Sequence, residues 1–100
     1  MLYLIGRLTD DPKINKKDDK QEVSITLAVQ RDYKNVEGIY ETDYVPCILW
    51  NNIANQTNEY CRKGDLVAIR GKVRTAENKT IEIIVEKISF LATNKTSVNK

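Results

Sequence analysis

From Val23 to Val29 the apolar residues Val23, Ile25, Leu27 and Val29 alternate with Ser24, Thr26 and Ala28. A period of two is the pattern of a strand with one face in a core. Leu2 to Leu8 reads as a shorter strand that ends at the turn-forming Thr9-Asp10-Asp11-Pro12, and the charged stretch Lys13 to Lys20 reads as a loop joining the two. Arg31 to Glu41, with Asn35 and Gly38, reads as a polar hairpin loop carrying Tyr33 and Lys34. A further strand covers Tyr40 to Trp50. Beyond it Ile53, Thr57 and Tyr60/Cys61 recur at helical spacing, with Asn51 or Asn52 to cap the first turn and Arg62-Lys63-Gly64 as a basic last turn with a terminating glycine. Leu66 to Arg74 alternates again, and Ile81 to Leu91 is a last strand across the short turn Ala76-Glu77-Asn78-Lys79.

Three strands, a helix and two strands is the element order of an OB-fold, a five-stranded, mainly all-β Greek-key barrel with one short helix between its third and fourth strands. The expected domain is 1–92, followed by a flexible tail over 93–100, where Asn, Thr, Ser and Lys show no periodicity. A chain of 100 residues with 41% hydrophobic residues has room for one modest core. No apolar run approaches the roughly 20 residues of a membrane helix. Cys47 and Cys61 lie in apolar patterns without CxxC spacing and read as buried thiols, which suits a reducing, cytoplasmic setting.

The chain has no histidine, and with it go the commonest general base and the commonest metal ligand. It also lacks a phosphate-cradling glycine loop and a carboxylate pair within a recognisable motif; Glu82 and Glu86, four apart on a strand, read as a solvated face. No enzyme and no cofactor is expected. The net charge of +2 does not announce a nucleic-acid binder, so the distribution of charge must decide.

On the third strand Tyr40, Thr42, Tyr44, Pro46, Ile48 and Trp50 share one face, and Val45, Cys47 and Leu49 the other. The small aliphatic set makes a natural barrel interior, leaving the aromatic set to face outward. Aromatics on a barrel surface stack bases without regard to sequence, each contributing on the order of 1–3 kcal/mol. Phosphates need cations nearby. Arg70, Lys72 and Arg74 form a basic stripe on the fourth strand, and Arg31, Tyr33 and Lys34 set an aromatic between two cations. The residues thus point to Tyr33, Tyr44 and Trp50 as stacking platforms. The same elements carry a core alternative for Trp50 and a cross-strand packing alternative for Tyr44.

The chain resembles the bacterial and phage single-stranded DNA-binding proteins over nearly its whole length. The resemblance rests on Leu4-Ile5-Gly6-Arg7-Leu8 with Asp11-Pro12, Thr26-Leu27-Ala28-Val29, and Thr42-Asp43-Tyr44-Val45 with Cys47 and Leu49-Trp50. It continues in Tyr60-Cys61-Arg62-Lys63-Gly64-Asp65-Leu66-Val67, Gly71-Lys72-Val73-Arg74-Thr75 and Val85 through Phe90-Leu91. It implies base stacking at Tyr33, Tyr44 and Trp50 and basic positions at Arg7, Lys72 and Arg74. Adding the cations read from the pattern gives Arg7, Arg31, Lys34, Arg70, Lys72 and Arg74 as expected phosphate contacts.

Four departures from the family pattern stand out. The hairpin at Ala76 to Lys79 is short and lacks an aromatic. Pro46 replaces a polar or basic residue, so its strand must lie at an edge or bulge there. The first strand starts about three residues late. The polar linker and acidic tip by which bacterial members recruit repair enzymes have no counterpart before Lys100. The expected function is sequence-tolerant single-stranded DNA binding in replication, recombination or repair, with RNA left open because stacking and phosphate contacts do not sense the 2′-hydroxyl. A primosome-type accessory using the same barrel as a protein scaffold is the alternative. Tyr3 and Ile5 alternate with Leu4, which leaves an apolar outward set on an edge strand and favours a homo-oligomer, a dimer or tetramer.

Overall fold

The computed structural model describes residues 1–17 and 20–93. The elements are β1 (Leu2–Leu8), β2 (Lys13–Lys17), β3 (Lys20–Lys34), β4 (Tyr40–Trp50), α1 (Asn51–Tyr60), β5 (Leu66–Thr75) and β6 (Ile81–Ala92). The sheet runs β1-β5-β6-β4-β3-β2, and a second pairing of β1 with β3 curls it into a closed barrel of β1, β3, β4, β5 and β6. β1 divides its length to do this. Leu2 to Arg7 pair with Gly71 to Leu66 of β5, while Arg7 and Leu8 also pair with Ala28 and Leu27 of β3. The five-stranded OB barrel with a helix between its third and fourth strands is therefore as the element order implies. Among the described residues no helix is long and apolar enough to cross a membrane.

Alternation builds the core. Leu8, Val23, Ile25, Leu27, Cys47, Leu49, Val67, Ile69, Ile83 and Val85 all point into the barrel and are buried, and Ala54 of α1 with Cys61 just beyond it completes the cluster. α1 packs against β3, β4 and β6. Gly6 and Gly71 are the close approaches that let the barrel shut. A Cβ at Gly6 would lie 2.7 Å from the Ala28 carbonyl oxygen, and one at Gly71 would run into that of Ile84.

Several expectations are corrected. Lys13 to Lys20 is not a loop: Lys13–Lys17 pairs with Ser24 to Lys20 as a hairpin, while Asp18 and Asp19 lie outside the described residues. Only Ile14 in that stretch is apolar, so the sequence carries no period to reveal a strand, whose formation is decided by the open edge of β3. Arg31 to Lys34 belongs to β3 and Tyr40 and Glu41 to β4, so the loop shrinks to residues 35–39. There Gly38 takes φ 80° and the Asn35 side-chain oxygen accepts the amides of Glu37 and Ile39, a turn that Asn and Gly make at little cost.

The helix starts without a side-chain cap. Trp50 is the N-cap residue, and the chain turns straight from β4 into α1 through Asn51 at φ 59°, a left-handed conformation that Asn tolerates. It also ends earlier than expected. The last helical residue is Tyr60, so Arg62 and Lys63 lie in the following loop, where the Asp65 carboxylate accepts the Arg62 amide. The tail residues 94–100 lie outside the described residues.

Candidate nucleic-acid interface

Register decides which side chains share the barrel's outer face. Arg7 of β1 pairs with Ala28 of β3, and Ala28 pairs with Tyr44 of β4, so the three form one row across the sheet. Cross-strand neighbours share a face, and at two strand spacings Arg7 and Tyr44 stand roughly 10 Å apart. Ala28 between them is too small to cover the ring, and Tyr44 is 67% exposed. The next inward-facing row, Leu8, Leu27 and Val45, lies in or against the core. One alternation thus sets an apolar row beneath and an aromatic–cation row above.

The outward row on β4 is not uniform. Tyr40 and Tyr44 are exposed and Trp50 is half-buried, but Ile48 is only 7% exposed, against the expected open row. At Ile48 the strand β6 comes alongside, pairing Ile48 with Ile84. Trp50 lies six positions after Tyr44, roughly 20 Å along an extended strand, with the covered Ile48 between them.

Pro46 lies where the β6 pairing has not yet begun, since β6 meets β4 only at Cys47 and Ile48. Its partner Thr26 turns its carbonyl away to accept the Thr9 amide at 2.9 Å. The Thr26–Pro46 pair therefore exchanges no ladder bonds, and the missing N–H of proline faces the open edge of β4. The expectation of an edge position at Pro46 is met.

Beyond the barrel rim β3 and β4 continue as an arm. β3 carries two extra residues there, with Gln30 opposite Thr42 and Lys34 opposite Tyr40. The Lys34 ammonium stands 5.5 Å from the Tyr40 ring centre, a cation–π contact on the outward side. Tyr33 is exposed on the same arm. Arg31 points the other way: its Nε and Nη2 donate to the two oxygens of Asp43 at 3.0 and 2.9 Å, and its Nη1 to Glu41 at 2.6 Å. That guanidinium beside Asp43 holds the carboxyl below its ordinary value, and the same hydrogen bond raises Arg31 still further above its own.

On β5 the outward residues Arg70, Lys72 and Arg74 do not stand alike. Arg74 donates through Nε to Glu82 at 3.0 Å, and Lys72 lies 3.3 Å from Glu86. Arg70 sits directly opposite Lys87, and its Nε is buried without a hydrogen-bond partner in the described structure. Arg7 donates to the Gly64 carbonyl at 2.9 Å and keeps its charge uncompensated by that contact.

The family model described as Single-strand binding protein family matches residues 1–91. The chain belongs to that family. Single-stranded DNA-binding protein B of Bacillus subtilis (strain 168) is 38% identical, over 90% of this chain and 88% of that protein. Single-stranded DNA-binding protein 1 of Staphylococcus aureus (strain MSSA476) is 34% identical, over 97% of this chain and 68% of its own length. Among solved structures, the second single-stranded DNA-binding protein of Mycobacterium smegmatis matches with a TM-score of 0.74 at 20% identity, covering 89% of this chain and 85% of that one, a likeness of fold.

As a member of the single-strand binding family the protein is a binder and not an enzyme. Its fold places Arg7 of β1 and Tyr44 and Trp50 of β4 on the outer surface either side of β3, with Tyr33 and Lys34 on the arm. It carries Arg70, Lys72 and Arg74 on β5, and it engages Arg31 with carboxylates. Sequence reasoning passed over Lys87, which only the β5–β6 register sets against Arg70. It also read Glu82 and Glu86 as a solvated face, whereas both hold cations. Their opposite charges on adjacent strands were the available signal.

Proposed function

We propose that this chain coats single-stranded DNA without regard to sequence during replication, recombination or repair, stacking bases on Tyr33, Tyr44 and Trp50. Tyr40 adds a further ring, held beside Lys34. Phosphates are met by Arg7, Lys34, Arg70, Lys72 and Arg74, and Arg31 takes part only where a phosphate displaces Asp43. The observation that carries the reading is the row Arg7, Ala28, Tyr44, in which a cation and an open aromatic face flank a residue too small to cover either. An exposed tyrosine on a sheet adds little to the fold, whereas base stacking uses the whole ring face. The relatives are single-stranded DNA-binding proteins by name, which points the same way.

The protein acts as a homo-oligomer in this reading. Tyr3 and Ile5 lie on the outer face of β1 and are exposed, with Ala68 of β5 opposite Ile5 and Arg70 opposite Tyr3, an apolar strip bordered by a cation that a second copy would cover. Repeating the barrel along one strand multiplies weak contacts by avidity.

The test is a titration of Trp50 fluorescence with oligo-dT, duplex DNA and single-stranded RNA at two salt concentrations. Tight binding of oligo-dT with quenching, and far weaker binding of duplex, is the expected result; equal affinity for duplex with unchanged emission refutes it. The RNA arm reports whether the surface senses the sugar. Light scattering over a concentration series tests assembly, which a constant 11.5 kDa species, with and without DNA, would exclude.

A further inference from the structure

We infer that Glu82 and Glu86 are built-in competitors of the nucleic-acid phosphate, so that DNA reaches Arg74 and Lys72 by exchanging one anion for another; this rests on the DNA-binding reading above. Three cations stand two residues apart on the outer face of β5, and two of them already hold a carboxylate from β6. Arg74 faces Glu82 directly across the ladder, and both its Nε and Nη2 donate to the same Glu82 oxygen. Lys72 reaches Glu86 at 3.3 Å.

The acids lie beneath the bases. Glu82 is 15% exposed against 49% for Arg74, and Glu86 is 30% exposed against 68% for Lys72. Each cation is therefore presented to solvent from above its carboxylate, and an incoming phosphate meets the cation first. Glu86 owes its place to a bulge: Arg70 pairs with Lys87 and Gly71 with Val85, which leaves Glu86 as the extra residue of β6. A bulge re-aims one side chain without altering the rest of the strand. Arg70, next in line, has no such carboxylate among the described residues and faces Lys87 instead.

Ion pairs whose cation stands open to solvent hold weakly, so a phosphate can displace either carboxylate, but the displaced charge stays nearby and repels it. Binding at Lys72 and Arg74 is thereby weakened and made easy to reverse. Arg70 and Lys87 supply the uncompensated attraction.

The experiment measures oligo-dT affinity of the whole chain and of Glu82→Gln and Glu86→Gln, with thermal melting in parallel to confirm the fold. Each glutamine keeps the side chain's size and removes its charge. Each variant should bind about two- to fivefold more tightly, the gain expected from releasing one weakly held ion pair. Lys72→Ala should cost more affinity in the Glu86→Gln background than in the natural one, while Arg70→Ala should cost the same in both. Folded glutamine variants with unchanged or weaker affinity, beside a natural protein that binds oligo-dT, would overturn the inference alone, the carboxylates then merely orienting the cations. A natural protein that does not bind oligo-dT overturns the DNA-binding reading and this inference with it.

Discussion

Arg31 and Asp43 face each other across β3 and β4 with both carboxylate oxygens hydrogen-bonded to the guanidinium, at 2.9 and 3.0 Å, at the point where β3 carries its two extra residues. A bidentate pair of this kind fixes orientation as well as distance. It joins the strands where the ladder is interrupted, just below the arm bearing Tyr33, Lys34 and Tyr40. With Glu41 added, two acids surround one base, so this cluster offers no net positive charge to a phosphate.

Arg31→Gln should therefore weaken oligo-dT binding while leaving the dependence on salt nearly unchanged. A phosphate-contacting cation instead flattens the log–log salt slope by about 0.7 on single strands. A slope change of that size in Arg31→Gln would return Arg31 to the direct phosphate contacts.

The same pair sets a pH expectation. Asp43 is held below its ordinary carboxyl value by the hydrogen bond from Arg31, with its partial burial opposing. A depressed carboxyl stabilises the folded form above the unfolded value, and the contribution is lost as pH falls through the folded one. Between about pH 5 and about pH 8 the lock is fully formed, so affinity measured at constant ionic strength should be flat over that range. A steep change within it would identify another titrating group.

Tyr44 and Trp50 should separate stability from binding. Tyr44→Ala should weaken oligo-dT binding by about 1–3 kcal/mol with little change in melting temperature, because the ring is largely exposed. Trp50→Ala should lower both, since Trp50 is half-buried and forms the junction between β4 and α1. Loss of folding in Tyr44→Ala would assign that ring to packing.

Burial pushes the Cys47 thiol up to about 12, and burial, with Asp65 adding to it, pushes the Cys61 thiol up to about 11. A raised thiol value means that stability is complete below the unfolded value and falls as pH climbs through the folded one. Iodoacetamide at about pH 9, the ordinary thiol value, should leave both cysteines unmodified in the native protein and modify both in urea. Mass spectrometry reads the result, and rapid native alkylation would mean that the core opens.

Gly71→Ala should destabilise the fold by about 1–3 kcal/mol, a cost typical of overpacking. Its new methyl would meet the Ile84 carbonyl and the Ile83 side chain, 3.0 Å away, and backbone cannot yield as a flexible side chain can. An unchanged denaturation midpoint would show that the bulge at Arg70/Gly71 absorbs the group.

Local pattern was enough to locate β1, β4, β5 and β6 to within a residue or two, because apolar runs of strand length are set off there by turn formers or by a change to helical spacing. It also separated Val45, Cys47 and Leu49 from Tyr44 and Trp50, since opposite faces of a strand follow directly from spacing. β2 and the outer part of β3 were illegible. Their residues are charged or polar on both faces, and they are strands only because a neighbouring edge offers hydrogen bonds.

The candidate site divides along the same line. Which residue types could stack bases or meet phosphates is written in the chain, and so is the sheet face on which most of them lie. Which outward residue is covered and which cation is already held depends on partners distant in sequence: β6 beside Ile48, Asp43 against Arg31, Glu82 and Glu86 against Arg74 and Lys72. Register and bulges set those pairings, and a one-residue shift would exchange every partner while leaving the hydrophobic pattern of each strand intact.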